Sequence, residues 1–205
     1  MRFRRAAIGL LAALAIGCGG PGPTPSVAPS VAGGASPSAV ASGRSASATT
    51  GASGVTIDPT LLAIVPAAIE GVAVVPDAET AAQIASDPAL AGDVEALAVG
   101  LAVGPGSSGA EDLAIVNVIR LRDGVFGEAF FRDWRETYDA AACEPAGGVT
   151  GHAQAELDGR LVYIGSCTGG AFTHHVALET QRIIVSVTSV GAHRFGEQVV
   201  SNLTP

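Results

Sequence analysis

The stretch from Leu113 to Leu121 reads LAIVNVIRL, apolar on both alternating sides and rich in branched residues. That pattern predicts a central strand covered on both faces. Asn117 interrupts one face, where it either satisfies backbone groups in a bulge or points into a cavity. Asp123-Gly124 turns the chain, and the period then lengthens. Phe126, Phe130, Trp134 and Tyr138 recur at every fourth position, which predicts a helix over 126–142 with one aromatic stripe. On its other surface Glu128–Arg132, Arg132–Glu136 and Arg135–Asp139 have the spacing of helical ion pairs. The stripe suits a face that packs on a sheet better than the lining of a ligand cleft.

Downstream, strands are expected over 153–157, 160–166, 172–178 and 182–190. They are joined at Asp158-Gly159, at Gly169-Gly170 and around Thr180-Gln181, and such short connections imply an antiparallel meander. A closing helix is expected over 193–203. Upstream, Asp58-Pro59 opens a short helix through Leu61, Leu62 and Val65, limited by Pro66. Val72 to Val75 is a short strand, and Asp77 and Asp87-Pro88 are two further helix starts. Leu90, Val94, Leu97, Ala98 and Leu101 repeat at helical spacing, so a helix is expected over 88–102. This order of elements predicts an α+β fold, a mostly antiparallel sheet with helices packed mainly on one face.

Ahead of Val55 the periodicity disappears. Residues 19–54 are drawn from Gly, Ala, Ser, Pro, Thr and Val, with Arg44 the only charge and no aromatic side chain. A segment of that composition cannot bury enough surface to offset its ordering entropy. It is expected to be a flexible linker of roughly 30–35 Å root-mean-square span, leading into a single globular domain over 55–205.

The chain opens on Met1-Arg2-Phe3-Arg4-Arg5, followed by an apolar run from Ala6 to Ile16 that is too short to cross a bilayer. A basic start, a short apolar core and a small residue at Gly17 describe a secretory signal over residues 1–17. Cys18 directly after Gly17 resembles the lipobox of bacterial lipoproteins, with Ala15 where the pattern usually has leucine and Leu14 one residue earlier. The resemblance covers the leader. It implies that Cys18 is diacylated on its thiol and becomes the new N-terminus, holding the protein on the extracytoplasmic side of a bacterial membrane. Loss of the three leader arginines takes the formal net charge from −8 to −11, and no acid precedes Asp58. An acidic domain repels phosphate backbones and anionic headgroups. Nucleic acid is therefore not an expected partner, and attachment to the bilayer falls to the acyl chains.

Two cysteines remain after Cys18, Cys143 and Cys167. In an oxidising compartment they are expected to form a disulfide pinning the end of the aromatic helix. Gly165-Ser166-Cys167-Thr168-Gly169 resembles the nucleophile elbow of thiol-type α/β hydrolases. The branched and aromatic residues after Gly170 read as a strand rather than a helix, so the disulfide is preferred to a thiolate. His174 and His175 point to opposite faces of their strand. His152 or His193 could meet one of them across the sheet, and with Glu179 or Asp158 would make a zinc site, but metal-ligand spacing is absent. No metal and no cofactor are expected. Arg120 and Arg122 share a face and could hold an anion, although pairing with the domain's acids is preferred. Asn202-Leu203-Thr204 fits a glycosylation sequon by chance.

Together these features predict a non-catalytic binding or interaction module. Its partners are the bilayer, through acylated Cys18, and a small molecule or envelope protein. The alternatives are a small hydrolase using Cys167 or the histidines, and a purely structural envelope domain.

Overall fold

The computed structural model describes residues 48–50, 54–106 and 111–204. The leader, Cys18 and all but the end of the expected linker lie outside the described residues. Six long strands dominate: β1 (Val94–Pro105), β2 (Glu111–Leu121), β3 (Val149–Leu157), β4 (Arg160–Cys167), β5 (Phe172–Leu178) and β6 (Ile183–Val190). They lie in the order β1-β2-β6-β5-β4-β3, every adjacent pair antiparallel. Outside β1, Thr56–Ile57 pairs parallel and Val75–Pro76 antiparallel, so the sheet as a whole is mixed and the class is α+β. Thr49–Thr50, within the expected linker, pairs with Thr56–Ile57 at that edge.

The predicted meander over β3 to β6 is present, and β2 sits centrally between β1 and β6. The expected helix over 88–102 is not. Asp87 caps only a single 3₁₀ turn over Pro88–Leu90, and Val94–Pro105 is a strand. Its apolar residues fit a helical repeat, but periodicity cannot separate a buried helix from a strand buried on both faces. What decides is the partner: Leu97 faces Ile119 and Ala98 faces Val118 along an eleven-pair ladder with β2. Gly100 and Gly104 serve that strand by leaving room. A Cβ on Gly104 would stand 2.8 Å from Val72 Cγ2 and 3.1 Å from Phe195 Cζ.

Three α-helices cover the sheet: α1 (Ala78–Ala85), α2 (Glu128–Cys143) and α3 (Phe195–Ser201). Asp77 caps α1 by accepting the Thr80 backbone N–H at 3.0 Å, and Asp58 caps a 3₁₀ helix over Pro59–Ile64. α1 and α2 pack with Leu97, Val99, Ile119, Leu121 and Ile184 on one face. α3 and the 3₁₀ helix at Pro59 pack with Ala98, Val116, Val118, Val185 and Val187 on the other. Helices mainly on one face were expected, whereas both faces are covered. The reason lies in β2 and β6, whose alternate positions are apolar on both sides and so require two covering layers.

Candidate functional site

Cys143 and Cys167 are bonded, with a Cα–Cα distance of 5.1 Å. The bond ties the last residue of α2 to the last residue of β4 and thereby sets the rotation of the helix. Phe131, Arg135, Asp139 and Cys143 stand four residues apart and share the side facing β4 and β5; Phe131, Asp139 and Cys143 are buried. The aromatic stripe predicted from Phe126, Phe130, Trp134 and Tyr138 lies one position round, partly buried against β1, β2 and β6. None of the three predicted helical ion pairs forms. Arg132 instead meets Asp133 at 3.2 Å, Arg135 lies over the Tyr163 ring at 3.6 Å, and Asp139 turns to the sheet.

Beneath α2 the sheet presents polar side chains in register. His175 of β5 faces Ser186 of β6, which faces Asn117 of β2. Asp139 Oδ1 accepts from Thr173 Oγ1 at 2.5 Å and from His175 Nε2 at 2.8 Å, and Oδ2 meets His152 Nε2 at 3.0 Å. His175 Nδ1 is 2.9 Å from Ser186 Oγ, which also receives Trp134 Nε1–H at 3.1 Å. The indole can only donate, so the chain closes in one direction: Trp134 to Ser186, Ser186 to His175, His175 to Asp139. Alongside it, Asn117 Nδ2 donates to Tyr138 Oη at 2.8 Å, and Tyr138 Oη is 3.0 Å from Thr188 Oγ1. Burial pushes the Tyr138 phenol up to about 12, against its hydrogen bonds to Thr188 and Asn117. Burial also opposes the charge on Asp139, yet the hydrogen bonds from His175 and Thr173 and the electrostatic influence of His175 and His152 hold that carboxyl below its ordinary range.

Asp139, His175 and Ser186 follow the hydrogen-bond order of a catalytic triad, but the ring is reversed. In acyl-transfer triads the acid holds Nδ1 and the serine faces Nε2. Here Ser186 is only 1% exposed and lies under α2, so no substrate carbonyl reaches its Oγ. The set braces the helix on the sheet.

Beside this brace, between α2 and the β3–β4 hairpin, opens a cleft of about 500 Å³. Arg132, Arg135, Glu136 and Asp139 line it from the helix, His152 and Gln154 from β3, and Tyr163 from β4. His152 reaches Asp139 from the exposed edge strand with 57% of its side chain in solvent. Arg135 is held over two aromatic rings, and its Nε is buried without a hydrogen-bond partner. A second, apolar crevice of about 30 Å³ lies between Ile84, Leu97, Ile119, Trp134 and Tyr138. Asn117 Oδ1 is unpartnered at its wall, so the cavity alternative for Asn117 is the one adopted.

The remaining sequence candidates scatter. Gly165-Ser166-Cys167-Thr168-Gly169 is the end of β4 and the turn into β5, with Gly169 and Gly170 both at positive φ, and its cysteine is in the disulfide. His174 faces away from His175, towards α3; burial first, then the electrostatic influence of His175 and Arg194, lower it to about 4. His193 Nδ1 is 2.5 Å from Asp112 Oδ2. The hydrogen bond raises His193 and lowers Asp112. His152 and His175 do meet, through Asp139 rather than through Glu179 or Asp158. No cluster of His, Cys, Asp and Glu among the described residues is arranged to hold a metal. Arg122 Nε donates to the Ala91 carbonyl at 3.1 Å, and neither Arg120 nor Arg122 forms an ion pair among the described residues. Arg182 meets Asp123 at 2.9 Å and Glu95 at 3.3 Å. Asn202 Nδ2 bonds the Gln198 carbonyl. No described helix is long and apolar enough to cross a membrane.

Sequence reasoning missed Asp139 as the hub, although the signal was present. With Cys143 committed to the sheet, residues one, two and three turns earlier must lie on the same side, and these are Asp139, Arg135 and Phe131. No family model, curated protein or solved structure matches this chain.

Proposed function

We propose that this chain is an extracytoplasmic lipoprotein, anchored through acylated Cys18, and that its domain is a non-catalytic binding module. Its ligand seat is the cleft between α2 and the β3–β4 hairpin. One observation carries the reading: a concave site of about 500 Å³ lined by mixed polar side chains, with a guanidinium fixed on an aromatic ring. That volume lies within the range of small-molecule sites. Rigid α2, bound to the sheet by a disulfide and a buried hydrogen-bond chain, preorganises one wall. A purely structural domain has no need of such a cleft. A thiol hydrolase needs Cys167 as a thiolate, and its sulfur is bonded to Cys143.

Two experiments test this. Intact-mass analysis of the protein purified from membranes should give a mature chain beginning at diacylated Cys18; a soluble chain with an unmodified cysteine rejects the anchor. A thermal-shift screen of small metabolites on that protein should give a saturable rise in Tm that is lost when Ala153, in the cleft wall, is replaced by tryptophan. A rise that A153W leaves intact places the ligand elsewhere.

A further inference from the structure

We infer that the cleft takes a singly charged carboxylate ligand, gripped by the edge of the Arg135 guanidinium; this rests on the cleft being the ligand seat. Like Arg120 and Arg122, Arg135 has no carboxylate partner among the described residues, but unlike them it lines the cleft. Arg135 forms no ion pair or hydrogen bond among the described residues, although Asp139 stands one turn ahead of it. Asp139 is occupied by Thr173, His175 and His152. Arg135 instead stacks on Tyr163, its Cζ 3.6 Å from the ring centroid, with Phe131 at 5.1 Å. Stacking covers a guanidinium face and leaves the N–H edge, which matches the two coplanar oxygens of a carboxylate. Gln154 and the outer nitrogen of His152 add further hydrogen-bonding groups on the facing strand.

The charge count selects one negative charge rather than two. Arg132 is paired with Asp133, and Glu136 and Asp139 line the same cleft, so Arg135 attracts an anion only at close contact; for a phosphate dianion that contact doubles while the cost of desolvation rises with the square of the charge. The side-chain order on α2 achieves this. The acid placed to neutralise Arg135 is drawn under the helix by the histidines, and the base is left facing the cleft.

The test uses the full mature protein in detergent micelles, titrated with benzoate, its uncharged analogue benzamide, and inorganic phosphate, and followed by NMR of the arginine Nε–H and His152 resonances. Benzoate should saturate these signals, and benzamide and phosphate should bind at least tenfold more weakly. Arg135→Lys, which keeps the charge but loses the fork, should weaken benzoate about tenfold, or about 1.4 kcal/mol. If R135K fails to fold, Gln154→Ala on the outer strand supplies the second variant, with an expected loss of severalfold. Benzamide or phosphate binding as well as benzoate overturns the carboxylate assignment while keeping the cleft as a seat. If none of the three probes moves a cleft resonance, the carboxylate assignment is overturned, and the thermal-shift screen with A153W decides the seat separately.

Discussion

Asp139 and His175 are joined by a 2.8 Å hydrogen bond between Oδ1 and Nε2, with both side chains at least 97% buried. One comes from the helix and the other from the sheet, 36 residues apart. A buried carboxylate is costly unless each oxygen is satisfied. Here three donors converge on it, and the chain behind His175 runs on through Ser186 to Trp134, back on the same helix. The network therefore closes a loop between α2, β5 and β6.

Asp139→Asn turns one acceptor into a donor that opposes a histidine or threonine proton. His175 adapts by swapping its ring protons only at a cost, because Ser186 would then accept from both His175 and Trp134 and its own hydroxyl proton would lose its acceptor. Urea unfolding should give a loss of about 2–3 kcal/mol. Ser186→Ala, which leaves the Trp134 and His175 nitrogens unpartnered, should cost about 2 kcal/mol by the same measure. A loss under about 0.5 kcal/mol in both variants would mean that packing alone holds α2.

Gly165 lies opposite Thr173, under Asp139. A Cβ there would collide with Thr173 Oγ1 and stand 2.8 Å from Asp139 Oδ2. Gly165→Ala should therefore destabilise by about 1–3 kcal/mol and shift the His175 ring resonances. Gly159→Ala, where a Cβ meets nothing within 4 Å, is the comparison: its cost comes only from its φ of +71°.

Stability should peak near pH 6.5, from two histidines of opposite sign. His174 is lowered to about 4 in the fold, so the unfolded chain takes its proton first as pH falls. Its contribution is complete above about 6.5 and is lost between about 6.5 and 4, on the order of 2–3 kcal/mol. His193 is raised by Asp112, so its contribution is complete below about 6.5 and is lost as pH rises through its folded value. Asp112 and Asp139 are both lowered, so their contributions hold above about 3.8 and fail only in stronger acid. Unfolding across pH 4–8 should show a dome. His174→Gln should flatten its acid side and His193→Gln its alkaline side. A wild-type profile flat from pH 4 to 8 would contradict both assignments.

Reduction of Cys143–Cys167 opens a crosslink between residues 24 apart. The expected loss is about 3 kcal/mol, read as a fall in Tm on adding reductant. The effect should extend beyond stability, because the bond sets the rotation of α2. The Arg135 Nε–H resonance should broaden in the reduced protein, and if it stays sharp the hydrogen-bond chain alone is sufficient to orient the helix.

The sequence by itself determined what depends on local chemistry. Alternation and turn residues defined β4 to β6 and the part of β3 from Ala153 onward but not its start at Val149, the run from Leu113 defined the central strand, and the aromatic spacing defined α2 to within two residues at its start. Asp58, Asp77 and Asp87 marked their caps because a side-chain acceptor at that position acts within three residues. Two late cysteines behind a segment expected to direct export implied the disulfide. The tertiary structure alone decided which of two compatible periods Val94–Pro105 would adopt, because its hydrogen bonds go to β2 rather than to itself. It also decided that both faces of the sheet are covered. Above all, it brought Asp139, His152, Thr173 and His175 to one point. They are up to 36 residues apart, and only helix rotation and strand register together bring them within 3.0 Å. A period along the chain reports which side of an element is buried, but not which residue of another element lies against it.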